Sequence, residues 1–293
     1  MKQKRLAHPY DARHGWPMPL RLNVSSRAPR LSGGDAIVIS VPNSGRTWLR
    51  TFLAAYFCGR FEYAFSLDPD GHGDTRIPRV TYTHDLYEHY TKTRWWDRVR
   101  SKYLVPRSEI KRTRVFLLTR DPRDAFVSHY HELTRRTAET AGELKDRKLS
   151  DILRDPIHGI GVMVRAMNAW MAEFGHRKDC TLVRYEDLHL DPAAQFRRVL
   201  AGLGEPEPAQ PHFDDALQFS QFGNMKKMEA SRTYDPQLLQ PGDVNDPESY
   251  KVRRGKVGGY VDYLDAADVE YASRVVAELD ARYGYGATAE VPR

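Results

Sequence analysis

The chain has 293 residues, enough for one large domain or two small ones with a proper hydrophobic core. Hydrophobic residues make up 41% and charged residues 29%, the balance of a soluble globular protein, and no apolar run approaches the length of a membrane span. A net charge of +6 favours an anionic partner (a nucleotide, an acidic substrate, a membrane surface or nucleic acid) without choosing among these.

Residues 1-30 read as a polar tail, since no apolar stretch follows the first basic residues and a secretory signal is therefore not expected. Ala36–Val41 (AIVISV) is short, β-branched and continuously apolar, the pattern of a strand buried on both faces. After a Pro-Asn-Ser-Gly-Arg-Thr break, Trp48, Leu49, Phe52, Leu53, Tyr56 and Phe57 recur at helical spacing, and Gly59 can end that helix. Arg79–Thr83 is a second strand and Val115–Thr119 a third. Asp121-Pro122 then supplies an N-cap and a first-turn proline for the next helix. A helix is expected over Gly161–Phe174, a strand over Thr181–Tyr185, a capped helix from Asp191-Pro192 to about Gly204, and a last helix from Asp265 to about Tyr283. Strands alternating with helices predict a single α/β domain over residues 31-293, with a central parallel sheet of about four or five strands covered on both faces.

Residues 60-112 and 220-258 are less regular. The second, rich in Gly, Pro, Asp and Lys, is expected as a long loop, and both read as lid or acceptor segments. Cys58 and Cys180, with no CxxC pair, read as reduced, buried thiols in a cytoplasmic protein. Lys92–Arg114 interleaves Trp95, Trp96 and Tyr103 with lysines and arginines. Such a stretch suits single-stranded nucleic acid or an anionic sugar, but an acceptor lid or a solvated helix is the blander reading and the one favoured here.

The loop at Pro42 turns a strand into a helix, so its backbone N–H groups and the helix dipole suit a phosphate. Set against the triphosphate loop GxxxxGK[ST], it has Ser40 where the first glycine belongs and Arg46 where the lysine belongs. It more closely resembles the loop of sulfotransferases that use 3′-phosphoadenosine 5′-phosphosulfate (PAPS), roughly Pro-Lys-Ser-Gly-Thr-Thr-Trp, here Pro42-Asn43-Ser44-Gly45-Arg46-Thr47-Trp48. That family's later signatures have counterparts in order: "LLTRDPRDAFVSHYH" with Arg120 and Ser128, "LVRYEDL" with Tyr185, and "RRGKVGGY" with Arg253, Arg254 and Gly255. A weaker echo is "FSQFGNMKK", with Ser220 and Met225.

The resemblance implies sulfuryl transfer from PAPS to a hydroxyl or amine of a small molecule or glycan, with no metal and no nucleic-acid partner. It implies Ser44, Gly45, Arg46 and Thr47 on the 5′-phosphate. Trp48, Tyr185, Ser220 and Met225 would lie around the adenosine, and Arg120, Ser128, Arg253, Arg254 and Gly255 on the 3′-phosphate. The family histidine falls at His84, the expected base, with Asp85 and Glu88 as alternatives. The five-residue spacing of His84 and His89 does not suit a helical zinc pair. Asn43 stands where the family has a lysine, and Arg46, one helical turn on, is the candidate for restoring that charge and the third catalytic candidate with His84 and Asn43. A non-catalytic binder of the same nucleotide and a degenerate triphosphate enzyme are the competing readings.

Overall fold

A computed structural model of the chain describes residues 34–92, 95–136, 144–231 and 241–285. Four strands, β1 (Ala36–Ser40), β2 (Val80–Thr83), β3 (Arg114–Thr119) and β4 (Cys180–Arg184), form one sheet in the order β2-β1-β3-β4. All three pairings are parallel, with Ile37 opposite Thr81 and Val115, and Leu117 opposite Leu182. The helices are α1 (Arg46–Arg60), α2 (Asp85–Thr91), α3 (Pro122–Arg135), α4 (Ile160–Phe174), α5 (Tyr185–Leu190), α6 (Pro192–Leu203), α7 (Gln210–Phe219), α8 (Phe222–Ser231) and α9 (Ala266–Val276). Short helical turns lie at Trp95–Val99, Arg107–Ile110 and Leu149–Leu153.

Strand side chains alternate between the two faces, and each set enters a different core. Ile37, Ile39, Val115 and Leu117 pack with Phe126 of α3, Met167 and Trp170 of α4, and Val275 of α9. Ala36, Val38, Phe116 and Leu118 pack with Phe52 of α1, Phe196 of α6 and Phe213 of α7. Phe52 and Phe196 stack with ring centroids 3.9 Å apart. Burying each of the larger side chains contributes about 1.5–3 kcal/mol, so the sheet is held from both sides. This is the α/β domain expected from the strand–helix alternation, with four strands.

The capped helix starts are present: the Asp121 carboxylate accepts from the Arg123 N–H, and the Asp191 carboxylate from the Ala194 N–H. Three expectations need correction. The stretch after Phe219 is not simply a long loop, because it holds α8, whose Met225 and Met228 pack on Ala54, Leu67 and Val252. The last helix ends at Val276, well short of Tyr283. There Asp280 caps a separate turn, and the Tyr283 hydroxyl donates to the Met167 carbonyl at 2.6 Å. Cys58 is buried, but Cys180 on the outer strand is only half-buried.

In the basic aromatic segment Trp96 is exposed, whereas Leu104 and Val105 are core residues, so the segment is anchored at its C-terminal half. The expected tail over residues 1-30 lies outside the described residues. Among the described residues no helix is long and apolar enough to cross a membrane.

Candidate active site

The chain leaves each of the four strands at the same edge of the sheet, where open α/β folds place their ligand crevice. Segments following β1, β2, β3 and β4 bring Asn43, Gly45–Trp48, His84, Arg120 and Tyr185 around one cleft of about 1120 Å³, counting its open mouth. The loop Val252–Gly259 and residues Phe222 and Met225 of α8 supply the facing wall.

After β1, Asn43 (φ +62°) and Gly45 (φ +91°) both adopt left-handed backbone, which turns the chain sharply into α1. No side chain caps α1, and its first turn holds no acidic residue. Its first backbone bond runs from the Leu49 N–H to the Gly45 carbonyl at 3.1 Å. The N–H groups of Arg46, Thr47 and Trp48 therefore lack intrahelical acceptors, and the positive end of the dipole faces the cleft. Gly45 lines the cleft, and a Cβ there would sit 2.7 Å from the Tyr185 ring. Its glycine is required by φ and by that ring. Gly45→Ala is expected to cost about 2–4 kcal/mol, from left-handed strain plus overpacking, read as a lower urea midpoint. An unchanged midpoint would contradict this packing. Ser44 is fully buried beneath the turn, and its hydroxyl has no hydrogen-bond partner among the described residues.

His84 follows β2, and its Nδ1 lies 2.7 Å from the Ser40 carbonyl. A carbonyl only accepts, so Nδ1 carries the hydrogen and Nε2 keeps its lone pair. Burial, reinforced by the Arg46 guanidinium, holds the imidazole well below the usual histidine range. It is a neutral ring at the cleft wall. Asp85 is not free to act as a base: its carboxylate accepts from the Val105 N–H at 2.8 Å and the Trp170 indole at 3.2 Å. Glu88 is not among the residues lining the cleft.

The Asn43 amide donates to Glu132 at 2.9 Å, and the same carboxylate oxygen lies 3.2 Å from His129 Nδ1. His129 Nε2 in turn lies 2.8 Å from the buried Tyr87 hydroxyl. Burial pushes the Glu132 carboxyl up, but His129, Lys251 and Arg136 outweigh it and keep the group ionised well below its ordinary range. Arg46 lines the cleft and has no hydrogen-bond partner among the described residues. Burial lowers its pKa, and Glu132 and Glu88 oppose that loss.

Arg120 is 8% exposed and organises the crevice. Its guanidinium donates to the Asn43 carbonyl at 3.1 Å, the Ser128 hydroxyl at 3.3 Å and the Lys256 carbonyl at 3.1 Å. It also covers the Tyr185 ring at 4.4 Å, while its buried Nε has no partner among the described residues. Asp124, one turn along α3, accepts from the Gly258 and Tyr260 N–H groups at 2.7 and 2.8 Å and so fixes the basic loop. Within that loop Arg253 is bound to Glu248 at 2.6 Å, and Arg254 to Asp262 at 2.8 Å. Gly255 (φ +60°) lies against the Phe222 ring. Trp48 stands edge-on to Tyr185, His189 and Phe196.

The structure thus gathers Asn43, Gly45, Arg46, Thr47, Trp48, His84, Arg120, Ser128, Tyr185, Met225, Arg253, Arg254 and Gly255 in one cleft. Ser44 and Ser220 do not line it, and the Ser220 hydroxyl turns back to the Leu217 carbonyl at 3.4 Å. Asp124, Glu132, His189 and Lys251 line it without having been anticipated. Only Asp124 carried a sequence signal, as an acid four residues after Arg120 where a helix would stack the two.

A family profile described as a sulfotransferase domain matches residues 34–284. The chain belongs to the sulfotransferase family. This sulfotransferase is 27% identical to cytosolic sulfotransferase 14 of Arabidopsis thaliana, over 83% of this chain and 74% of that protein. It is 23% identical to the 3-alpha-hydroxysteroid sulfotransferase of Cavia porcellus, over 85% of this chain and 84% of that one. Among solved structures it is similar to mouse sulfotransferase SULT7A1 complexed with PAP, with TM-score 0.54 and 17% identity, covering 87% of this chain and 89% of that one. A retinol dehydratase in complex with androsterone and inactive cofactor PAP gives TM-score 0.53 and 15% identity, covering 88% and 82%. At these identities the structural likeness concerns the fold, which is the α/β sulfotransferase fold expected from the sequence.

Proposed function

We propose that the cleft binds PAPS and that His84 serves as the base for sulfuryl transfer to a hydroxyl or amine of a small molecule or glycan. The observation that carries this reading is the meeting of an uncapped α1, the Arg120–Ser128 pair and a neutral histidine in one crevice. The PAP complexes of its structural neighbours support the donor class.

PAPS supplies an activated sulfuryl group. The free N–H groups of α1 and the Thr47 hydroxyl hold the 5′-phosphate end. Arg120 and Ser128, with Arg253, Arg254 and Gly255, hold the 3′-phosphate, while Trp48, Tyr185 and Met225 border the adenosine. His84 Nε2 takes the acceptor proton as the acceptor oxygen or nitrogen bonds to sulfur. The bond from sulfur to the bridging phosphate oxygen breaks, and its electron pair leaves with the phosphate. The Asn43 amide is committed to Glu132, so Arg46 supplies positive charge to that departing oxygen. Outside the residues that hold the nucleotide, the described parts of 60-112 and 220-258 form the acceptor side, and a cytoplasmic setting agrees with the names of the plant relatives.

Charged hydrogen bonds contribute about 1.5–3 kcal/mol against roughly 0.5–1.5 for neutral ones. Arg46→Thr is therefore expected to lower turnover roughly tenfold or more, and turnover near wild type would remove Arg46 from the mechanism. The function is tested by following PAP release from PAPS with a panel of alcohols, phenols, sugars and amines. Acceptor-dependent release is expected. A protein that binds PAP but never releases it from PAPS with any acceptor would be a silent nucleotide binder.

A further inference from the structure

We infer that Lys251 is a donor-binding residue whose ammonium supplies positive charge to the phosphosulfate end of the cleft, beside Asn43. This rests on the PAPS reading above and adds a residue to it. Lys251 lines the main cleft with Asn43, Arg46, His84 and Glu132. It also lines a smaller adjoining cavity of about 250 Å³ with Asn43, Ser128, Glu132 and Arg136.

Its position is fixed by the backbone. The Lys251 and Val252 N–H groups donate to the two carboxylate oxygens of Glu229 at 2.6 and 2.8 Å, and Glu229 is fully buried on α8. The loop is clipped to α8 at this residue, so the side chain leaves from a set point on the cleft wall. Among the described residues the ammonium has neither an ion-pair nor a hydrogen-bond partner. Holding a cation half-buried and unpaired is unfavourable unless an anion joins it.

The charged groups that act on it are Glu132 and Arg136 of α3 and its end, Arg46 of α1 and Glu229 of α8. Glu132 already accepts from Asn43 and lies against His129, so it is not a dedicated partner. Burial, with Arg136 and Arg46, brings the Lys251 ammonium down to about 8, while Glu132 and Glu229 act in the opposite sense. A solvated loop lysine would face water and titrate far higher. An arriving polyanion restores the proton, because an opposite charge favours the charged form.

The test is calorimetric titration with PAP at pH 8.5, in two buffers of different ionisation enthalpy, for the wild type, Lys251→Arg and Lys251→Met. The PAP phosphates are already ionised at that pH and His84 is already neutral, so Lys251 is the group expected to gain a proton. The wild type is expected to take up roughly half a proton or more on binding. Lys251→Arg, which is always charged, is expected to bind within a few-fold of wild type without that uptake. Lys251→Met is expected to lose both the uptake and roughly tenfold in affinity.

Uptake that persists in Lys251→Arg, or wild-type affinity in Lys251→Met, overturns the assignment. Should Lys251→Met fail to fold, the Arg variant alone decides through the loss or persistence of uptake. Wild-type protein that does not bind PAP overturns the donor reading itself, a different and separable result.

Discussion

Replacing His84 by alanine is expected to lower turnover about 10³-fold while leaving PAP affinity close to wild type. The imidazole donates from Nδ1 to the Ser40 carbonyl, which fixes the tautomer and leaves Nε2 as the proton acceptor. The adjacent Asp85 offers no substitute, since its carboxylate is bound by Val105 and Trp170 inside the core. Burial and Arg46 depress the histidine pKa, so the sign of the pH effect follows. As the proposed base, His84 is lost only when pH falls through the lowered value, and activity is expected to persist below the pH at which an ordinary histidine protonates. A steady-state pH profile measures this. An acid limb at or above the usual histidine range, or a loss of only a few-fold in His84→Ala, would assign the base elsewhere.

The second large effect is expected at Arg120. Arg120→Met removes donors to the Asn43 carbonyl, the Ser128 hydroxyl and the Lys256 carbonyl, and it strips Asp124 of its cation. Burial already pushes the Asp124 carboxyl up, and Arg120 is the first influence that restrains it. Breaking such a buried pair costs about 3–5 kcal/mol, so a clear fall in unfolding midpoint is expected. If Arg120 also grips the 3′-phosphate, PAP should weaken roughly 100-fold while AMP, which lacks that group, weakens far less. Parallel titrations with both nucleotides, at a temperature where the variant remains folded, read the difference. An equal loss for PAP and AMP would make Arg120 a scaffold residue only.

The frame of the molecule was legible because its physics is local. β1 and β3 are continuous apolar runs because both faces of a parallel sheet are covered, and Asp121-Pro122 and Asp191-Pro192 carry their own caps. The segments after the strands could be placed on one edge for the same reason, since every parallel strand ends at that edge. What stayed hidden depends on contacts distant in sequence. The pattern of α8 rests on Met225 and Met228 within a polar stretch, and it is their packing on Ala54 and Leu67 that buries them. The last helix continues its apolar spacing through Leu279, so nothing local marks the end at Val276. Glu132 and Lys251 are ordinary charges in the sequence and gain meaning only where α3 and the loop after α8 meet beside Asn43. Ser220 shows the reverse, a local echo whose side chain is folded back on its own helix.

Recognition of a 3′-phosphorylated adenosine nucleotide is the proposal on which the roles of Arg120, Ser128 and Arg253 rest. It is tested most directly by a thermal-shift titration with PAP beside AMP and ATP. A ligand present at a hundred times its Kd adds about 2.7 kcal/mol to stability, which is readily seen as a rise in Tm. The expected result is strong stabilisation by PAP and little by AMP or ATP at the same concentration. Stabilisation by ATP without any by PAP would make the loop after β1 a triphosphate site and contradict the roles given to Arg120, Ser128 and Arg253.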